Sequence, residues 1–148
     1  MVGDTMNLER LLYLREEKEL TQKDIAKLLN VSRVAISHWE TTKEIIPLKK
    51  LNDYCNYFKV SMDYIVCLEK YKKHNNHQKT LNSILIGKRI KEVRKKNNLT
   101  QEKLAKELNT THSTISAYES GKTTIITTFA YQICKNYNVS MDWLCGRK

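Results

Sequence analysis

The chain has 148 residues, with 26 Lys and Arg against 16 Asp and Glu, which leaves a formal net charge of +10. An excess of that size points to an anionic partner. The start, Met1-Val2-Gly3-Asp4-Thr5, has no basic patch ahead of an apolar run, and nowhere do eighteen apolar residues follow one another; no membrane is expected, and the expected location is the cytoplasm.

In chain order, apolar residues recur at intervals of three and four: Leu11 and Leu14, then Ile25, Leu28 and Leu29, then Leu51, Tyr54, Cys55 and Phe58. That period belongs to helices. The reading is five short helices at 7–18, 22–29, 33–40, 48–57 and 62–68. Residues 69–83 are polar and basic without apolar periodicity and read as a linker whose beginning extends the fifth helix. Five more helices follow at 86–97, 101–108, 112–119, 127–136 and 141–145. Short polar side chains mark the starts, namely Thr21 and Thr100, Ser32 and Thr111, Ser61 and Ser140, each able to accept from an amide of the first turn.

The two sets are copies. Leu20-Thr21-Gln22 recurs as Leu99-Thr100-Gln101, seventy-nine residues on, and the register holds without a gap to Val60-Ser61-Met62-Asp63 over Val139-Ser140-Met141-Asp142. Two small domains at 1–68 and 84–148 are therefore predicted, with 69–83 joining them. Residues 1–68 hold ten basic and ten acidic side chains, whereas 87–148 hold twelve against five, net +7. The second copy carries most of the electrostatic pull, with Lys88, Arg89, Lys91, Arg94, Lys95 and Lys96 on its first helix.

The second and third helices of each copy carry the specific signal. Ile25, Ala26, Leu29, Asn30, Val31, Ile36 and Trp39 mark two helices meeting at a tight turn, and Leu104, Ala105, Leu108, Asn109, Thr110, Ile115 and Tyr118 repeat the scheme. Ala26 and Ala105 are small where the third helix crosses, and Asn30 and Asn109 suit a left-handed turn position.

These residues resemble the Cro/CI type of helix-turn-helix domain, the XRE family. The match runs through Ile25-Ala26-Lys27-Leu28-Leu29-Asn30-Val31-Ser32-Arg33 and through Ile115-Ser116-Ala117-Tyr118-Glu119-Ser120-Gly121-Lys122, and covers about 120 residues. The resemblance implies an all-α chain of two tandem five-helix, lambda-repressor-like domains that binds double-stranded DNA. In the family the third helix enters the major groove with its first turn. The base-reading positions it implies are Ser32, Arg33, Val34, Ser37 and His38, then Thr111, His112, Ser113, Ser116 and Ala117. Arg33 is the strongest of these, because a guanidinium can pair with guanine O6 and N7 at once. Thr21, Gln22 and Lys43, with Thr100, Gln101 and Lys122, are the implied phosphate contacts. Glu40 and Glu119 are read as residues that tie the third helix to its neighbours.

Copy one departs from the family at Thr42, where copy two has Gly121, and copy two departs at Ile126, where copy one has Pro47. A non-glycine at the end of the third helix leaves the path of that loop open. Cys55, Cys67, Cys134 and Cys145 have no CxxC spacing and read as buried free thiols. His74 and His77 lack a third ligand, so no metal or other cofactor is expected. No catalytic constellation is present, and an enzyme is not expected. The expected role is a promoter-occluding repressor of a bacterial or phage-type system. The alternative is an antitoxin or inhibitor holding a partner protein through one domain. One chain covering two unlike half-sites competes with a homodimer of four heads.

Overall fold

The computed structural model describes residues 6–72 and 80–148, and these form two compact units. Within the described residues every regular element is a helix. Unit one contains α1 (Glu9–Glu17), α2 (Gln22–Leu29), α3 (Arg33–Glu40), α4 (Leu48–Phe58) and α5 (Met62–Ile65). Unit two contains α6 (Ser83–Lys96), α7 (Gln101–Glu107), α8 (His112–Ser120), α9 (Thr127–Tyr137) and α10 (Met141–Leu144). Five helices per unit match the number read from the repeat, but α5 ends at Ile65, capped by Val66, short of the expected 68, so the start of the linker does not extend it.

All six expected caps are in place. The hydroxyls of Thr21, Ser32, Ser61, Thr100, Thr111 and Ser140 accept from the N–H three residues on. Thr21 and Asp24 close a reciprocal capping box. α6 starts at Ser83, three residues before the expected 86, because the Asn82 side chain accepts from the N–H groups of both Ile84 and Leu85.

The copies also share their unusual backbone. Left-handed φ values occur at Glu19, Asn30, Thr42, Lys59 and Cys67 in unit one, and at Asn98, Asn109, Gly121, Asn138 and Gly146 in unit two. Each pair is seventy-nine residues apart. Thr42 at φ 60° thus takes the turn that Gly121 takes at φ 80°. Ile126 likewise holds the extended conformation of Pro47, with ψ of 152° and 149°. Neither departure from the family pattern diverts the chain.

The core of unit one gathers Leu11, Leu14, Ile25, Ile36, Leu51, Tyr54 and Met62, and that of unit two gathers Ile90, Val93, Leu104, Ile115, Ile133 and Met141. Tyr54 donates its hydroxyl to the Leu11 carbonyl, so the phenol is satisfied inside the core. Burial raises its pKa. Leu28, part of the apolar period but not among the inner positions named for α2, and Cys67, expected to be buried, lie at the surface. Leu28 is 50% exposed, since the buried stripe of α2 runs through Ile25, Ala26 and Leu29 and leaves it on the flank. Cys67 is exposed and takes, after α5, the left-handed position that Gly146 takes in unit two. Cys55, Cys134 and Cys145 are buried free thiols as expected.

α6 crosses the end of α8 at Gly87. A Cβ there would sit 2.3 Å from the Tyr118 carbonyl oxygen and 2.6 Å from that of Glu119. Unit one has Leu8 at this position, outside α1 and fully buried.

Candidate nucleic-acid interface

In each unit a buried ion pair fixes the third helix from behind. Arg15 on α1 donates from Nε to Glu40 Oε2 at 2.6 Å and from NH2 to Oε1 at 3.0 Å. Its NH1 closes the α1–α2 turn on the Leu20 carbonyl at 2.8 Å. Gln22, the first residue of α2, donates from Nε2 to Glu40 Oε1 at 2.9 Å. Unit two repeats the bracket with Arg94, Glu119, Leu99 and Gln101 at 2.6 to 3.0 Å. The glutamates are 5% and 4% exposed, so these pairs are shielded from salt. The hydrogen bond to the glutamate is the main cause holding Arg15 and Arg94 above the ordinary arginine pKa. Glu40 and Glu119 therefore tie α3 and α8 to α1 and α6, the role expected of them.

This frame leaves the outer turn of α3 and α8 facing solvent. Arg33 and Val34 open α3 and are exposed, Val34 by 50%, while Ser37 and His38 follow one turn later and are half-buried. On α8, His112, Ser113 and Ser116 are exposed and Ala117 is half-buried. Ser32 and Thr111 stand just ahead of these helices with their oxygens accepting from Ala35 and Thr114 N–H. Arg33 NH1 donates to Gln22 Oε1 at 3.2 Å. Gln22 thus bridges Arg33 to the buried Glu40, and a second Nε2 hydrogen is left for an anion. His38 Nδ1 lies 3.5 Å from Glu44 Oε1.

Of the phosphate set, Thr21 and Thr100 are exposed caps, Gln22 and Gln101 begin α2 and α7, and Lys43 and Lys122 are exposed just past α3 and α8. The geometry groups each unit's residues around one helix-turn-helix.

Part of the positive charge of unit two is turned inward, contrary to its expected service as open electrostatic pull. Arg94 is spent in its ion pair. Arg89 lies over the Trp143 ring, 4.9 Å from its centre, and donates to the Trp143 and Lys148 carbonyls. Arg147, 3% exposed, pairs with Asp142 at 3.2 Å. Three of the cations behind the +7 therefore serve the fold, and the exposed ones on α6 are Lys88, Lys91, Lys95 and Lys96. Unit one turns Arg10 inward as Arg89 is turned, 4.1 Å over the Tyr64 ring. Sequence reasoning missed these structural arginines, although Arg10 and Arg15 recur in register as Arg89 and Arg94, a signal open charge does not require.

Among the described residues, no group of three or more His, Cys, Asp and Glu side chains is arranged to hold a metal, and no helix is long and apolar enough to cross a membrane. His74 and His77 lie outside the described residues.

Comparison with known proteins gives the same architecture. A family described as "Helix-turn-helix" matches residues 11–65, and one described as "Helix-turn-helix domain" matches residues 87–147. The HTH-type transcriptional activator BcrR of Enterococcus faecalis is 39% identical over 62 residues, 42% of this chain and 30% of that protein. Antitoxin PezA of Streptococcus pneumoniae serotype 4 is 38% identical over 62 residues, 42% of this chain and 39% of PezA. The HTH-type transcriptional regulator ImmR of Bacillus subtilis is 37% identical over 62 residues, 42% of this chain and 49% of ImmR. The chain spans less than half the length of these curated relatives. No solved structure gives a significant match.

Proposed function

Because the chain belongs to the Cro/CI or XRE family of helix-turn-helix proteins, with two such domains in tandem, we propose that it is a sequence-specific regulator that binds double-stranded DNA. Its setting is the cytoplasm of a bacterium or a phage or mobile-element system, and its mode is repression by covering a promoter. The domains are 1–68 and 84–148 joined by 69–83, a linker whose last residue, Ser83, already opens α6. The observation that carries this is the outer turn of α3, where Arg33 is exposed and held by Gln22 to a bracket anchored on Glu40. A guanidinium so oriented suits the bidentate pairing with guanine.

The domains divide the work. Unit one, with Arg33, Val34 and His38, reads bases. Unit two, whose α8 offers His112, Ser113, Ser116 and Ala117, chiefly supplies phosphate affinity through Gln101, Lys122 and the exposed lysines. Selection of bound duplexes from a random pool, with the whole chain and with Arg33→Ala, tests this. Two unlike half-sites are expected, with one position relaxed by the substitution at a cost of about 1 to 3 kcal/mol. Unchanged specificity for Arg33→Ala, with His112→Ala relaxing it, would reverse the assignment. The likeness to antitoxin PezA supports a second reading, in which one domain holds a partner protein. Salt-sensitive DNA binding without any motif would favour that one.

A further inference from the structure

α1 and α6 are equivalent helices whose exposed faces carry opposite charge. Glu9, Glu16 and Glu17 of α1 stand where α6 has Lys88, Lys95 and Lys96, and all six are exposed. Each trio surrounds one residue at helical spacings of four, three and four. On α1 that residue is Tyr13, an aromatic side chain 55% exposed; on α6 it is Glu92. Beside the basic face of α6 opens a cleft of about 560 Å³, lined by Val93, Tyr137, Val139 and Trp143 and by the cations Lys96 and Lys148.

We propose that α1 of one copy docks on α6 of a second copy, with Tyr13 entering this cleft and Glu9, Glu16 and Glu17 meeting the lysines. Exposed ion pairs alone are weak, so an apolar anchor is needed, and an aromatic ring in a lined cleft is the usual one. Glu92 also lines the cleft and gives the Tyr13 hydroxyl an acceptor. The acidic face already takes a lysine, since Lys72 of the same chain pairs with Glu17 at 2.7 Å. The partner is a second copy because every chain carries both faces. Paired reciprocally about a two-fold axis, α1 to α6 and α6 to α1, they close into a dimer. This contact uses no residue of α3 or α8, but it shares Lys88, Lys95 and Lys96 with the phosphate affinity proposed for unit two.

Sedimentation velocity on the full chain tests it. The wild type is expected to dimerise at roughly 0.1 M salt and to dissociate towards roughly 1 M, as the screening length falls from about 10 Å to about 3 Å. A variant with Glu9→Lys and Glu16→Lys, and another with Lys88→Glu and Lys95→Glu, should each be monomeric alone because both of their faces then carry one sign. Mixed together they should restore the dimer mass. Tyr13→Ala should weaken association at least tenfold, with circular dichroism confirming that all the variants remain helical. A wild type that stays monomeric at low salt, reversed variants that dimerise unmixed, or a mixture that fails to associate overturns the proposal. DNA binding lost only in the lysine-reversed variant, with a monomeric wild type, overturns the dimer and leaves those lysines with the phosphate role alone.

Discussion

Thr42 shows how much a single position can conceal. A β-branched residue at φ 60° pays the left-handed penalty of about 1 to 2 kcal/mol that Gly121 avoids in the other unit. Glycine gives part of this back through its greater freedom in the unfolded chain, about 0.5 to 1 kcal/mol. Thr42→Gly is therefore expected to stabilise unit one by about 1 kcal/mol, read as a rise of about 4 to 8 °C in its melting temperature. No change, or a fall, would mean that the Thr42 hydroxyl, which donates to the Thr41 carbonyl, carries more weight than the backbone. Sequence reasoning identified the departure at 42 but not its outcome, because side-chain chemistry does not reveal φ. Asn30 and Asn109 were legible, since Asn tolerates the conformation; Glu19, Lys59 and Cys67 adopt it without any compositional sign and are identified only by their partners Asn98, Asn138 and Gly146. Lys122→Ala belongs to this scale too. As a proposed phosphate contact, its loss should weaken binding to all sequences alike and lower the salt slope by about 1, measured across a salt series.

Among elements, the bracket behind α3 is the most vulnerable part. Glu40→Ala leaves the Arg15 guanidinium, 12% exposed, without its carboxylate. Removing one member of such a pair costs about 3 to 5 kcal/mol, comparable with the whole stability of a small domain. Unit one should melt far earlier in Glu40→Ala, whereas Arg15→Met combined with Glu40→Leu should recover most of the loss, as calorimetry of the two variants would show. The crossing of α6 over α8 makes a separate prediction. Gly87→Ala places a methyl group against two backbone carbonyls that cannot swing aside, so unit two should lose stability while unit one melts unchanged. Helix existence and caps were legible because the apolar period and the short hydroxyls are local. The early start of α6 was not, because Asn82 lies in a stretch that reads as linker, and the inward turn of Arg89, Arg94 and Arg147 was not, because composition counts a cation without saying what it faces.

At the scale of the molecule, the duplication supplies two frames of one geometry with two different outer surfaces. Net charge is the property most easily misread at this scale: unit two counts +7 by composition, yet three of its arginines hold its own carbonyls, rings and carboxylates. For the proposed DNA binding, long-range attraction would rest on the exposed lysines, and on-rates should fall with salt accordingly. The bracket has a further consequence. Since Arg15, Gln22 and Glu40 grip α3 in the same way that Arg94, Gln101 and Glu119 grip α8, the outer turn of one helix can be exchanged for that of the other without touching what secures it. If the proposed base-reading residues hold, writing Arg, Val and His at positions 112, 113 and 117 should convert the proposed operator of two unlike halves into one of two like halves, with the fold of unit two intact. On the proposed reading, new target sequences are open to this chain through surface drift alone, one half at a time, while the other half keeps its hold on the duplex.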